Sequence, residues 1–478
     1  MTDPFDRFET ALTEAGPKAL RAGQFGRGAV VPGPFGPKPL VYADDTASGR
    51  ALRQVETWLQ EEVLPFYANS HTEASHCGAL MTRLRRAARV RVAQGCGAGP
   101  DHTVIFCGNG ATAGINRLVQ LFGVARSLAV GRPVHVLIGP WEHHSNILPW
   151  RESGAEVTEL SEGPHGPCLN ALEMALARAR RTGALCIVAL SGASNVTGAI
   201  ADTDRVTAAV KRGGGLMIWD MACAAPYLPL AMRSGGTEAD ALVLSSHKFA
   251  GGPGASGVLV VRRAACATDR PTQPGGGTVR FVGPETHDYV PDLAAREEAG
   301  TPNLLGDIRA ALAFAVKGAM TRMGLLETEA ALARRGLAAI GDTPGIDLLG
   351  GSDRPRLPVL SFRVTAADGT PLHQQLATRM LSDLFGVQAR GGCACAGPYV
   401  HRLLGIDAAA SEALRARILS GEELAKPGFV RCNLSPMMSE DELDTVLSAI
   451  AALPDAALRH RDHYEADAGR AIFGTKAA

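Results

Sequence analysis

Short apolar runs punctuate the first half of the chain. They are "TVIFC" (103–107), "VHVLI" (134–138), "LCIVAL" (185–190), "LMIW" (216–219), "ALVLS" (241–245) and "GVLVV" (257–261). Each is aliphatic or β-branched and bounded by Gly, Pro, Asp or Ser. Helix-length stretches such as "ATAGINRLVQLFGVARSL" (111–128) and "LNALEMALARARRTG" (169–183) lie between several of them. Continuous apolar strands alternating with helices predict a mostly parallel sheet covered on both faces. Sheets of that kind bind ligands outside the carboxyl ends of their strands.

The pattern changes at both ends. Residues 1–40 predict an N-terminal helix followed by an arm, because "GQFGRGAVVPGPFGPKPL" (23–40) is rich in Gly and Pro. Near residue 300, "EEAGTPNLLGDIRAALAFAVKGAM" (297–320) opens a long helical region, and "PVLSFRV" (358–364) reads as a strand. The predicted organisation is the arm at 1–40, a large domain at 41–303 and a smaller α+β domain at 304–478. The polar tail from about residue 455 reads as a peripheral helix or an unstructured end.

Bulk properties narrow the partners. The 48 Lys and Arg balance the 48 Asp and Glu, so nothing suggests nucleic acid or a membrane held by charge. No apolar run approaches the roughly 18 residues that a membrane span needs. The N-terminus has acidic residues and no apolar core, so no signal peptide is expected. Ten scattered cysteines in 478 residues read as reduced thiols, and the expected compartment is the cytoplasm. A lone Cys-x-Cys without a second ligand pair does not make a metal site.

The polar residues just after each strand carry the candidate chemistry. "GNGATAGIN" (108–116) is a glycine-rich turn entering a helix, where free N–H groups favour an anion and Thr112 adds a hydroxyl. His143 follows the second run, Asn195 the third and Asp220 the fourth. Ser245, His247 and Lys248 follow the fifth. Each alone has an ordinary structural reading; Lys248 by itself is a surface residue in a turn. Together they match one cofactor, pyridoxal 5'-phosphate. Lys248 suits the Schiff base to its aldehyde, and Asp220 suits the ring nitrogen, which a carboxylate keeps protonated. His143 suits stacking on the ring, Asn195 the ring oxygen, and Thr112, Ser245 and His247 the phosphate.

These blocks, with "YADDTAS" (42–48), "EHHSNILPW" (142–150), "SNVTG" (194–198), "WDMACA" (219–224), "SSHKFAGGPGASG" (245–257), "GGGTV" (275–279), "EAGTPN" (298–303), "ARGGCACAGP" (389–398) and "FVRCNLS" (429–435), resemble the class V aminotransferase family. That family of fold type I pyridoxal phosphate enzymes includes cysteine desulfurases and selenocysteine lyases, whose motif layout is the most similar. The resemblance implies a large domain with a sheet of the seven-stranded type and a smaller C-terminal domain. It implies a homodimer in which Thr278 of "GGGTV" reaches the other subunit's phosphate. It implies that Arg431 binds the substrate carboxylate, also touched by Asn195, and that Cys395 takes sulfur as a persulfide, with a sulfur-acceptor protein as a further partner.

Three departures from the family pattern stand out. Cys393 and Ala394 replace the histidines before the family cysteine, Cys223 replaces a glutamine, and Ala111 replaces the first hydroxyl of the phosphate turn. The expected reaction is therefore L-cysteine to L-alanine, with transamination, epimerisation or β-elimination of another amino acid as the alternative. A non-catalytic scaffold or sulfur-relay role is the remaining class.

Overall fold

In the computed structural model, residues 3–69, 73–351 and 354–476 are described. The chain forms two compact units. The first comprises residues 1–25, 48–193 and 200–324; the second comprises 26–47, 194–199 and 325–478.

The first unit is built on seven strands: β1 (His102–Cys107), β2 (Val134–Ile138), β3 (Glu156–Glu159), β4 (Leu185–Ser191), β5 (Leu216–Asp220), β6 (Ala241–Ser245) and β7 (Gly257–Arg262). Their order in the sheet is β1-β7-β6-β5-β4-β2-β3. Only β7 runs antiparallel to its neighbours. Six of the seven are the apolar runs read from the sequence. The seventh, β3, has the sequence "EVTE" and is partly exposed along its length, which fits an edge strand that carries no continuous apolar signal. Ile105, Val136, Ile187, Ile218, Val243 and Leu259 share one continuous buried cluster with the helix Gly110–Leu121. Because the strands other than β7 run one way, their carboxyl ends fall along one edge.

The long helix Leu304–Arg322 belongs to this first unit, so the division by contacts falls after Gly324 and not at 303. Its N-terminus is capped by Asn303, whose side chain accepts the Gly306 N–H.

The second unit has a five-stranded sheet. Its strands are β8 (Ile346–Leu348), β9 (Val359–Thr365), β10 (Pro371–Leu372), β11 (Arg390–Gly392) and β12 (Phe429–Asn433), in the order β8-β9-β12-β11 with β10 paired to β9. Residues 26–47, which span the end of the expected arm and the start of the expected large domain, join this unit: Val41–Tyr42 pairs in parallel with Val387–Gln388. The tail is more ordered than its polarity suggests. A helix runs from Glu440 to His460, opened by a capping box between Ser439 and Glu442. A hairpin then pairs Tyr464–Asp467 with Ile472–Thr475. Tyr464 is buried with the core of the second unit and Phe473 packs against it, an apolar pair too widely spaced to register as a run.

Candidate functional site

At the carboxyl edge of the first unit's sheet, Lys248 ends a one-turn 3₁₀ segment, Ser246–Lys248, directly after β6. The backbone at Gly49 crosses this turn, donating its N–H to His247 O at 3.0 Å. A Cβ at Gly49 would lie 2.0 Å from Phe249 O, so only glycine permits the crossing. The lysine turn is thus held from outside the sheet by a segment whose role the sequence did not reveal.

Asp220 is the last residue of β5 and is 5 % exposed. Its carboxylate accepts the Ala222 N–H at 2.9 Å. Burial raises its pKa, while the Ala222 hydrogen bond and the Lys248 charge pull the other way. A buried carboxylate in this state gains from a cationic N–H donor, because an isolated buried charge is costly. A protonated pyridine nitrogen is such a donor.

The glycine-rich turn expected to hold the phosphate follows β1. Gly110 adopts φ +63°, and a Cβ there would lie 2.6 Å from Ser245 Oγ and 3.3 Å from the His247 ring. Glycine therefore lets the turn settle onto the lysine segment, and Ser245 Oγ accepts the Ala111 N–H at 3.0 Å. Ala111 N–H and Ser245 Oγ, both expected at the phosphate, are in contact with each other. The Thr112 hydroxyl lies 2.7 Å from Ser145 Oγ. His247 is half-buried, and its pKa is lowered by burial and then by the Lys248 charge.

His143 caps the short turn after β2. Its Nδ1 accepts the Ser145 N–H at 3.1 Å and lies 3.0 Å from Ser145 Oγ. With Nδ1 accepting a backbone N–H, the proton of the neutral ring sits on Nε2. Beside it, Glu142 is buried and accepts from Ser191 N (2.8 Å), Ser191 Oγ (2.6 Å) and Asn146 Nδ2 (2.7 Å). Burial raises its pKa to about 7, against those hydrogen bonds and reinforced by the charge of Asp220. Glu142 and Ser145 were not among the residues singled out from sequence. The signal for both was their place inside "EHHSN", next to a chosen histidine. Thr278 is fully buried, and its hydroxyl donates to Gly275 O at 2.7 Å in the turn just before the hairpin Val279–Tyr289.

The second unit holds the remaining candidates. Arg431 lies on β12 directly opposite Arg390 on β11. Arg431 donates to Asp44 Oδ1 at 2.8 Å and to Asn195 O at 3.0 Å, and Arg390 donates to Asp44 Oδ2 at 2.9 Å. Asn195 is mostly buried, and its Nδ2 donates to Ala394 O at 2.8 Å. Arg390, five residues before Cys395, is paired with Asp44. Cys395 is exposed, and the loop that carries it is not straight. Ala396 N–H donates to Cys393 O at 3.1 Å, closing a turn in which Ala394 (φ 49°) and Cys395 (φ 54°) are both left-handed. The segment between Cys395 and Arg431 contains the helices Gly397–Leu403 and Ala408–Leu419, the second with no buried residue.

Among the described residues no cluster of His, Cys, Asp or Glu could hold a metal ion, and no helix is long and apolar enough to cross a membrane.

Comparison with known proteins agrees with this arrangement. A probable cysteine desulfurase of Vibrio cholerae is 31% identical over 367 residues, covering 75% of this chain and 85% of its own. A cysteine desulfurase of Pectobacterium atrosepticum is 25% identical over 417 residues, covering 86% of this chain and 93% of its own. The apo structure of a cysteine desulfurase from Thermococcus onnurineus matches with a TM-score of 0.71 at 23% identity, covering 87% of this chain and 94% of that one. The crystal structure of an Escherichia coli cysteine desulfurase matches with a TM-score of 0.70 at 22% identity, covering 92% and 98%. The model of the aminotransferase class-V family, whose members depend on pyridoxal phosphate, matches residues 41–446. The chain belongs to the class V aminotransferase family.

Proposed function

We propose that the protein takes L-cysteine to L-alanine and retains the sulfur as a persulfide on Cys395. The observation that carries this reading is the exposed Cys395 on a turn of two successive left-handed residues, a conformation that non-glycine residues adopt at a cost. Relatives named as cysteine desulfurases support it.

Bound pyridoxal phosphate supplies an aldehyde for the substrate amine and an electron sink for its α-carbon. Lys248 would be the residue that binds that aldehyde, and its amine would move the proton at the α-carbon. Asp220 would hold the ring nitrogen protonated, and His143 would supply a flat surface for the ring. Arg431 grips the substrate carboxylate, which a guanidinium meets with two parallel hydrogen bonds. The Cys395 thiolate attacks the substrate sulfur: an S–S bond forms as the substrate's C–S bond breaks, and the carbon takes the electron pair and a proton. The sum is L-cysteine plus enzyme thiol giving L-alanine plus enzyme persulfide. A sulfur-acceptor protein then discharges Cys395.

The working unit is a homodimer in this reading. The hairpin after Thr278 exposes Phe281 and Val282, an apolar tip suited to a second copy.

The test is to incubate the purified enzyme and its Cys395→Ala variant with a panel of amino acids and identify products by mass. L-alanine and persulfide from L-cysteine, both lost in the variant, are the expected result. Full turnover of the best substrate by Cys395→Ala overturns the reading in favour of transamination, epimerisation or β-elimination.

A further inference from the structure

Arg390 and Arg431 stand side by side on neighbouring antiparallel strands, where like charges repel. One carboxylate, Asp44, is shared between them: Oδ2 meets Arg390 and Oδ1 meets Arg431. Two guanidinium groups and one carboxylate leave one positive charge uncompensated, and Arg431 is 3 % exposed. The cluster is short by one negative charge, which a substrate carboxylate supplies.

The sequence places Asp44 there by local pairing. Val41–Tyr42 lies parallel to Val387–Gln388, and Ala43 O accepts the Asn433 N–H at 2.9 Å, two residues beyond Arg431. The Thr46 N–H donates to Asn433 Oδ1 at 3.1 Å. Asp44 is thus pinned on both sides in the chain, with its carboxylate aimed at the arginines.

Two connections lead from Arg431 to the cysteine turn. One passes through Asp44 to Arg390, which opens β11 and stands five positions before Cys395. The other passes through Asn195, which accepts from Arg431 with its backbone oxygen and donates to Ala394 O with its side chain. Ala394 is itself one of the two left-handed residues of the turn.

We propose that Asp44 is a positioning residue that couples occupancy of Arg431 by a substrate carboxylate to the conformation of the Cys395 turn. The proposal deepens the reading above and rests on its assignment of Arg431. A carboxylate on Arg431 competes with Asp44 for the guanidinium and shifts Asp44 toward Arg390. The arriving charge also changes the bond from Arg431 to Asn195, and both changes reach the turn. The nucleophile is thereby readied only when an amino acid is in place, which limits its reaction with other electrophiles.

The experiment measures alkylation of Cys395 by iodoacetamide in the holoenzyme, in a Cys393→Ala background, with peptide mass spectrometry as readout. The probes are saturating L-alanine and L-alaninamide, which has the same amine and no carboxylate. L-alanine is expected to change the alkylation rate at least threefold, and L-alaninamide to leave it unchanged. Asp44→Asn, close to isosteric, and Arg390→Ala, at a half-exposed position, are expected to lose more than half of that response. No response to L-alanine in the parent, an equal response to L-alaninamide, or an Asp44→Asn variant keeping half or more of the parent response overturns the proposal. Alkylation needs no turnover, so an enzyme that releases no sulfur from L-cysteine still gives a readable result. In that case the desulfurase reading fails while the coupling is judged separately.

Discussion

Ser145 holds His143 by two atoms: its N–H donates to His143 Nδ1 at 3.1 Å, and its Oγ lies 3.0 Å from the same nitrogen. The hydroxyl also meets Thr112 Oγ1 at 2.7 Å, so one side chain joins the glycine-rich turn after β1 to His143. In Ser145→Ala the backbone N–H still fixes the imidazole tautomer, but Thr112 loses its partner. A hydrogen bond of this kind contributes about 1 kcal/mol. Cofactor affinity, measured by absorbance after dialysis against limiting pyridoxal phosphate, is expected to weaken about fivefold. Ser145→Thr should restore it, and unchanged affinity in Ser145→Ala would remove Ser145 from the site.

Glu142 sets a pH dependence of stability. Its folded pKa is raised to about 7 by burial, from the ordinary glutamate value near 4.5. The folded state therefore binds the proton more tightly than the unfolded state does. The sign follows from linkage: this stabilisation is complete below about pH 4.5 and is lost as pH rises toward 7. Glu142→Gln cannot titrate. Its stability relative to the parent, from urea unfolding midpoints of the apoenzyme, is expected to improve between pH 5 and pH 8. If the three hydrogen bonds keep Glu142 ionised throughout, the gap stays flat and this account fails.

Asp220→Asn removes the charge while keeping the shape at the end of β5. Losing one member of a buried ion pair costs about 3 to 5 kcal/mol, and each 1.4 kcal/mol is a factor of ten. Turnover is expected to fall by roughly 100-fold to 4000-fold with the far-UV spectrum unchanged. A rate within threefold of the parent excludes Asp220 from the chemistry.

What the sequence revealed follows from which interactions are local. β1, β2, β4, β5, β6 and β7 are buried on both faces, so each wrote a continuous apolar run. β3, partly exposed along its length, did not. Lys248 and Asp220 could be nominated because each lies within three residues after such a run. Asp44 was quoted within a motif but could not be assigned: its partners Arg390 and Arg431 lie 346 and 387 residues away. Ser145 was hidden for a different reason, since its role depends on the rotamers of Thr112 and His143. The helix Leu304–Arg322 looked like the start of a new domain because its entry is marked by Gly and Pro. That punctuation marks a helix start, not a change of core.

The turn at Cys395 offers a direct test of its stored strain. Ala394 and Cys395 both have φ near +50°, where the Cβ of an L-residue crowds its own backbone at a cost of roughly 1–2 kcal/mol. Glycine at position 394 relieves that crowding and gives back part of the gain through a freer unfolded chain, about 0.5–1 kcal/mol. Ala394→Gly should therefore stabilise the protein slightly, by up to about 1 kcal/mol in urea unfolding. The Ala394 carbonyl still accepts from Asn195, so the turn remains anchored at one point. What changes is the restriction on Cys395: with a flexible neighbour, its thiol samples more directions, and the rate of sulfur transfer falls even as stability rises. Opposite movements of stability and persulfide formation, measured on the same variant, are the expected outcome. A variant that loses stability shows that the left-handed pair is not strained, and one that gains stability with undiminished persulfide formation shows that the strain does not serve the reaction.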